Sequence, residues 1–303
     1  MTSLSLWQQL YSAVSASTLE PLVHPLLTEQ GITLYCKRDD LLHPRLSGNK
    51  WRKLKYPLRQ ALTEHAAGIL SFGGAYSNHL HALAAAGQAL NLPTVGIVRG
   101  EANSHNPTLT DVRHWGMKIE FVNRQQYRRR QDSDWLAELA HRYSGYMLLP
   151  EGGSCLLALP GVAELWQELP PHVEVVLPVA SGGTIAGLLS ARPVGAKVRG
   201  YAVLKGDPWL AQEIVNLYPA AAQDKHWQLI YEHHGGGYAK CRSGDKQAIA
   251  QLATELQLPL EPIYSGKALL GLFKDIAAGQ FQRDSTLVFL HTGGLQGARS
   301  PSG

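Results

Sequence analysis

Three short stretches carry side chains placed for chemistry. In LSGNKWRKLKY, Leu46 to Tyr56, the basic residues Lys50, Arg52, Lys53 and Lys55 stand directly behind a Ser-Gly-Asn turn and alternate with apolar ones. Lys50 asks for a reason, because a cation gains nothing from the dipole at a helix N-terminus. Lys53 and Lys55 read as ordinary helix-surface residues. In VLPVASGGTIAGL a strand passes into a helix through Ser181, Gly182, Gly183 and Thr184. Two glycines let the backbone approach a ligand and aim successive N–H groups at it, and the following helix adds its positive end, an arrangement suited to a phosphate. Thr184 takes the place of the second glycine of GxGxxG, and no GK[ST] closes the loop, so neither the dinucleotide fingerprint nor the P-loop is present. Taken alone, the stretch is equally a tight structural turn. In GGAYSNH, Gly73 to His79, a strand gives way to an Ala-rich helix, and Ser77 and Asn78 set small polar side chains beside the unpaired N–H groups of its first turn. Simple N-capping is the plain alternative there. His79 and His81, two apart, do not share a helix face and form no helical metal pair.

The elements that must hold these loops are legible from residue 68 onward. GILSFGG, PTVGIVRG, MKIEFV and GYMLLPEGG read as strands, and SNHLHALAAAGQALNL, NPTLTDVRHWG and SDWLAELAHRY as the helices between them. A second run adds strands VEVVLPVA, KVRGYAVL, WQLIYEHH and TLVFLHTGG, with helices after the glycine loop, from Pro208, and over DKQAIAQLATEL. This alternation predicts an α/β fold of two open, mostly parallel twisted sheets flanked by helices, with right-handed crossovers. No linker separates the runs. A small domain, residues 50–157, is therefore expected inside a larger one made of residues 1–49 and 158–303. Ligands of open α/β sheets bind outside the carboxyl ends of strands, and all three glycine-bearing loops, SFGGAYSNH, ASGGTIAGL and LHTGG, follow strands.

Composition bounds the remaining classes. A chain of 303 residues with 45% hydrophobic and 17% charged residues is an ordered globular protein. The net charge of +4 is spread among acids, apart from RQQYRRRQ, Arg124 to Gln131, which reads as a solvated helix face, with an acidic partner as the alternative. A nucleic-acid partner is not expected. Three distant cysteines, Cys36, Cys155 and Cys241, exclude a disulfide framework and a zinc knuckle. MTSLSLWQQLYSAV lacks the pattern of a signal peptide, and no apolar run is long enough to span a bilayer, so a cytoplasmic enzyme without a membrane partner is expected.

KRDDLL (Lys37–Leu42), LSGNKWRKLKY, GGAYSNH, SGGTIAGL (Ser181–Leu188), EPIYSGKALLGL (Glu261–Leu272) and HTGG (His291–Gly294) occur in an order and spacing that resembles the 1-aminocyclopropane-1-carboxylate deaminase / D-cysteine desulfhydrase family, pyridoxal-phosphate enzymes of the tryptophan-synthase-β fold type. The resemblance covers nearly the whole chain. It implies pyridoxal 5′-phosphate as cofactor, Lys50 as the Schiff-base lysine and later the α-proton base, and a phosphate held by Ser181, Gly182, Gly183 and Thr184. It also sets Asn78 against the cofactor's 3′-oxygen, and gives the substrate carboxylate to Ser77, Asn78 and the N–H of His79. Thr292 faces the pyridine nitrogen, Tyr264 lies at the cofactor face, and Tyr238 follows a Gly-rich turn. A neutral hydroxyl at the ring nitrogen stabilises a carbanion less than a carboxylate does, which favours elimination over transamination. A small amino-acid substrate and a homodimer are implied as well. Ser265 stands where the cyclopropane deaminases carry glutamate, and Leu80 and His81 where relatives carry a polar residue and an arginine. The expected activity is therefore α,β-elimination on a small D-amino acid, D-cysteine first, giving pyruvate, ammonia and sulfide. Cyclopropane ring opening, or cofactor binding without catalysis, are the alternatives.

Overall fold

The computed structural model describes residues 3–46, 48–101, 106–205, 209–237 and 240–299. Among the described residues ten strands form two sheets: β1 Leu19–Leu22, β2 Thr33–Lys37, β3 Gly68–Gly74, β4 Thr94–Arg99, β5 Lys118–Val122, β6 Tyr146–Leu149, β7 Glu174–Val179, β8 Lys197–Ala202, β9 Trp227–Ile230 and β10 Thr286–Leu290. The six-stranded sheet runs β1-β2-β10-β7-β8-β9 and the four-stranded sheet β5-β4-β3-β6. All pairings are parallel except β1 with β2, so the α/β expectation of two mostly parallel sheets holds.

Parallel sheets are covered on both faces, and their central strands read as unbroken apolar runs. The side chains of β7 alternate accordingly. Val175, Leu177 and Val179 pack into one core with Val288 and Leu290, while Val176 enters another with Leu287 and Phe289. Pro178 is tolerated within β7 because the ladder to β10 ends at Val176, two residues earlier. In the smaller sheet Ile69 and Val98 face one core and Leu70, Phe72 and Ile97 the other.

Helix Asn49–Thr63 connects the two sheets. Trp51, Leu54, Leu58 and Ala61, at helical spacing, join the core that also holds Leu10 of the N-terminal helix Ser3–Ser12 and Leu83 of helix Asn78–Leu90. Pro57 lies inside this helix and cannot donate to the Lys53 carbonyl one turn earlier. Among the described residues no helix is long and apolar enough to cross a membrane.

Candidate active site

Three strand ends and two helix starts meet at one cavity of about 610 Å³. Ser77, Asn78 and His79 follow β3; Ser181, Gly182 and Thr184 follow β7; Thr292 follows β10. Lys50 enters from the first turn of helix Asn49–Thr63, and Tyr264 from the residue before helix Ser265–Ala277. Tyr238 lies outside the described residues.

The turn in front of Lys50 is fixed by backbone and ions. Gly48 has φ +67°, and a Cβ there would sit 1.8 Å from the Thr292 carbonyl oxygen, so only glycine fits. Its N–H donates to the Asp39 carbonyl at 2.8 Å, and the N–H of Asn49 to that of Thr292 at 3.3 Å. The Asp39 carboxylate accepts from Arg52 Nε at 2.6 Å and Nη2 at 2.8 Å, and from the Ser17 hydroxyl at 2.7 Å. Arg52 also reaches Glu168 at 2.8 and 2.9 Å, and Glu168 pairs with Lys37 at 2.8 Å. Asp40 takes a two-pronged pair from Arg38 and stands 3.6 Å from His291, the neighbour of Thr292. The KRDDLL segment thus positions the Lys50 turn and the HTGG loop together, and its carboxylates are spent on other cations. Burial pushes the Lys50 amine down to about 8.

Lys53 departs from expectation. It is 1% exposed and shares a helix face with Lys50 three residues back. Its Nζ donates to Ser154 Oγ at 2.7 Å and faces Ser181 Oγ at 3.4 Å, and the two hydroxyls are 2.8 Å apart. Burial, and after it the charge of Lys50, push its pKa well below the ordinary lysine value. Its hydrogen-bond partners among the described residues are hydroxyls, so a buried amine that would need a counter-charge to hold its proton stands beside the glycine loop. Lys55, by contrast, is half-buried and paired with Glu164 at 2.6 Å.

The loop itself fits a phosphate. Gly182 is in the left-handed region at φ +76° and precedes helix Gly183–Ser190. Gly183 lies under the loop, where a Cβ would fall 2.5 Å from Ser154 Oγ and 3.0 Å from Lys53 Nζ. The Thr184 hydroxyl accepts from Asn49 Nδ2 at 2.8 Å, which leaves its proton to donate. An anion seated here would meet first-turn N–H groups, hydroxyls and the unpaired Lys53. The sequence reading missed Lys53, Ser154 and Asn49. The i, i+3 spacing of Lys53 from Lys50 was the available signal for the first.

Across the cavity, Ser77 does cap helix Asn78–Leu90, its Oγ accepting from the Leu80 N–H at 3.2 Å. That bond leaves the N–H groups of Asn78 and His79 without an intrahelical acceptor, a seat for a carboxylate. Asn78 Oδ1 accepts from Gln296 at 3.0 Å. His79 is 2% exposed with Nε2 2.8 Å from Ser71 Oγ. The Ser71 proton goes to the Leu149 carbonyl at 2.9 Å, so Nε2 donates and Nδ1 is a bare acceptor, unpartnered among the described residues. Burial first, then Lys50 and Lys53, hold this ring neutral.

Ser265 is fully buried and turned from the cavity. Its hydroxyl donates to Glu261 Oε1 at 3.0 Å, and the same carboxylate accepts from the N–H groups of Ile263, Tyr264 and Ser265 at 2.6–3.0 Å. Arg124 and Arg128 of the basic stretch are solvent-exposed, as expected of a helix face, but they also line the cavity mouth.

A family model described as pyridoxal-phosphate dependent enzyme matches residues 19–293. The bifunctional D-cysteine desulfhydrase/1-aminocyclopropane-1-carboxylate deaminase, mitochondrial, of Arabidopsis thaliana is 28% identical over 88% of this chain and 73% of its own length. A putative 1-aminocyclopropane-1-carboxylate deaminase of Pyrococcus abyssi is 30% identical over 89% of this chain and 86% of its own. A crystal structure of an ACC deaminase homologue superposes with a TM-score of 0.80 at 26% identity, covering 96% of this chain and 95% of that one. Threonine deaminase isoform 2 from Solanum lycopersicum shares the fold alone, with a TM-score of 0.67 at 18% identity over 99% of this chain and 84% of that one.

Proposed function

We propose, since the chain belongs to the pyridoxal-phosphate dependent enzyme family and to the 1-aminocyclopropane-1-carboxylate deaminase / D-cysteine desulfhydrase homologues within it, that it carries out α,β-elimination on a small D-amino acid, D-cysteine being the first candidate. The observation that carries the reading is the pair of lysines on one helix face, Lys50 open to the cavity with its pKa pushed down to about 8 and Lys53 buried against the glycine loop.

Bound pyridoxal phosphate supplies the electron sink that lets the Cα–H bond break heterolytically. The protein's share is to hold and to move protons. Lys53, the hydroxyls of Ser181 and Thr184, and the backbone of Gly182 and Gly183 would hold the phosphate. Lys50 would be the amine that holds the aldehyde carbon. Once released it is neutral in a large fraction of molecules near pH 8, and takes the proton from Cα. Asn78 would lie beside the 3′-oxygen. Ser77 and the N–H groups of Asn78 and His79 orient the substrate carboxylate. Thr292 would offer the ring nitrogen a neutral hydroxyl in place of a carboxylate, which would favour departure of a β-substituent. Tyr264 and Tyr238 complete the catalytic set.

Ring opening of aminocyclopropane carboxylate is the second reading, favoured by the names of the relatives. Against it stands the Ser265 turn, whose one carboxylate, Glu261, is spent on three backbone N–H groups and the Ser265 hydroxyl and is itself buried. The reading also includes a domain division into residues 1–49 with 158–303 and residues 50–157, a cytoplasmic location and a homodimer, which size-exclusion chromatography with light scattering tests. The test of function is keto-acid release from D- and L-cysteine, D-serine, β-chloro-D-alanine and aminocyclopropane carboxylate. Preference for the cyclopropane compound overturns the elimination reading. Silence on the whole panel with cofactor bound points to a binding protein.

A further inference from the structure

The cavity mouth is more basic than its chemistry requires. Arg99, at the end of β4, and Arg124 and Arg128, on helix Arg124–Arg128, are exposed and line it. Among the described residues none of these three is in an ion pair. Tyr127, buried between them, organises the group, with Arg99 5.6 Å from its ring centroid and Arg130 5.1 Å. The Tyr127 hydroxyl donates to Glu151 at 2.7 Å, and Arg130 binds the other oxygen of that carboxylate at 2.6 Å. The charges on the wall are then four arginines, 99, 124, 128 and 130, against two carboxylates, Glu151 and Glu213, with Lys50 further in. Glu151 is committed to Arg130, so Arg99, Arg124 and Arg128 face one remaining carboxylate, Glu213, a surplus of two positive charges before Lys50 is counted. Like charges gathered at the mouth of a cleft with low-dielectric walls focus their field into it. A neutral or zwitterionic substrate draws nothing from such a rim.

We propose that the rim selects small amino acids whose β-substituent is itself anionic, such as a phosphate ester. This rests on the elimination reading above and moves the preference within it from cysteine, whose thiol is neutral, to substrates with an anionic β-substituent. The step balances without a further reagent. The Cα proton goes to the amine of Lys50, the Cβ–O bond breaks with its electron pair leaving on the phosphate oxygen, and water hydrolyses the resulting enamine to pyruvate and ammonia. The arginines act before and during bond cleavage, by drawing in the dianion and by stabilising charge that grows on the leaving group.

The experiment compares O-phosphoserine with β-chloroalanine, whose leaving group is good but whose side chain is neutral, using both enantiomers and holoenzyme. The kcat/KM ratio should favour the phosphate ester by about tenfold or more at low salt. It should fall between ~0.01 and ~0.15 M ionic strength, over which the Debye length shrinks from about 30 to about 8 Å. The combined Arg99→Gln, Arg124→Gln and Arg128→Gln variant should bring the ratio towards one, and Arg128→Glu should lower it further. A second readout needs no turnover: calorimetry should show succinate binding the holoenzyme more tightly than succinamate, which has the same shape with one charge fewer, and the triple variant should lose that difference. Equal affinities for these two probes, together with turnover of β-chloroalanine at least as fast as of the phosphate ester, would overturn the rim proposal and leave elimination standing. A succinate preference that the arginine variant abolishes, with no turnover of either amino acid, of cysteine or of D-serine, would support anion selection and overturn elimination.

Discussion

Replacing Lys53 by methionine should move two properties in opposite directions. Without cofactor the Lys53 amine is 1% exposed, meets hydroxyls of Ser154 and Ser181, and lies near a second lysine. Methionine keeps most of the volume and removes the charge. The sign follows from linkage. Lys53 has a folded pKa well below the ordinary 10.5, so between those two values the unfolded chain binds more protons than the folded one, and wild-type stability rises with pH through that window. The variant lacks this slope. Its apoprotein should be more stable at neutral pH by about 1–3 kcal/mol, the scale of one poorly satisfied buried polar group, and the advantage should shrink as pH approaches the unfolded lysine value. Cofactor affinity should go the other way. A charge-assisted hydrogen bond is worth about 1.5–3 kcal/mol, which raises Kd about 10- to 140-fold at 1.4 kcal/mol per decade. Thermal unfolding of the apoprotein across pH gives the first quantity, and titration with pyridoxal phosphate the second. An apoprotein that loses stability, combined with unaltered cofactor affinity, would refute the assignment of this side chain to the phosphate.

Lys50→Ala should abolish the visible absorbance of lysine-linked cofactor while the protein still folds, and an unchanged band would remove Lys50 from its role. Gly183→Asp introduces a Cβ 2.5 Å from Ser154 Oγ and a carboxylate beside Lys53. It should weaken pyridoxal phosphate binding by at least about tenfold, the equivalent of 1.4 kcal/mol, as read by apoprotein titration; unchanged affinity would make the loop a structural turn. Ser265→Glu would bury a second carboxylate against Glu261 and should cost roughly 3–5 kcal/mol of stability, without raising turnover of aminocyclopropane carboxylate. Denaturant unfolding and the substrate panel check both halves.

Much of the site was legible because its loops combine glycine with strand ends. Gly48, Gly182 and Gly183 mark close backbone approaches, and β3, β7 and β10 could be read as continuous apolar runs. What escaped was set by direction rather than composition. Lys53 looks like any solvated lysine until the face of its helix is known. Ser154 comes from a stretch of short 3-10 turns, Glu151–Gly153 and Leu156–Ala158, that has no periodicity to read. The Ser265 side chain is turned by Glu261, which caps its helix from four residues upstream, a local signal that family comparison obscured. Arg124, Arg128 and Arg129 are exposed, as read, while Arg130 is half-buried against Glu151. Only the arrangement of β4 beside β5 brings Arg99 to join them at the cavity.

Helix Asn49–Thr63 packs against elements of both sheets. Its first turn is tied through Arg52 to Asp39, which follows β2, and Glu168, which precedes β7, and its apolar stripe from Trp51 to Ala61 rests on the core beneath the smaller sheet. Relative movement of the two sheets would load this helix as a strut, and its ladder is interrupted only where Pro57 fails to donate to the Lys53 carbonyl. Bending there would leave Lys50 and Lys53 in fixed register with Ser181 and let the Ser77–His79 loop travel with the smaller sheet. The cation frame around the phosphate would then stay rigid through a catalytic cycle while the carboxylate seat opens and shuts over it, a division that hydrogen exchange at residues 54–61 would report.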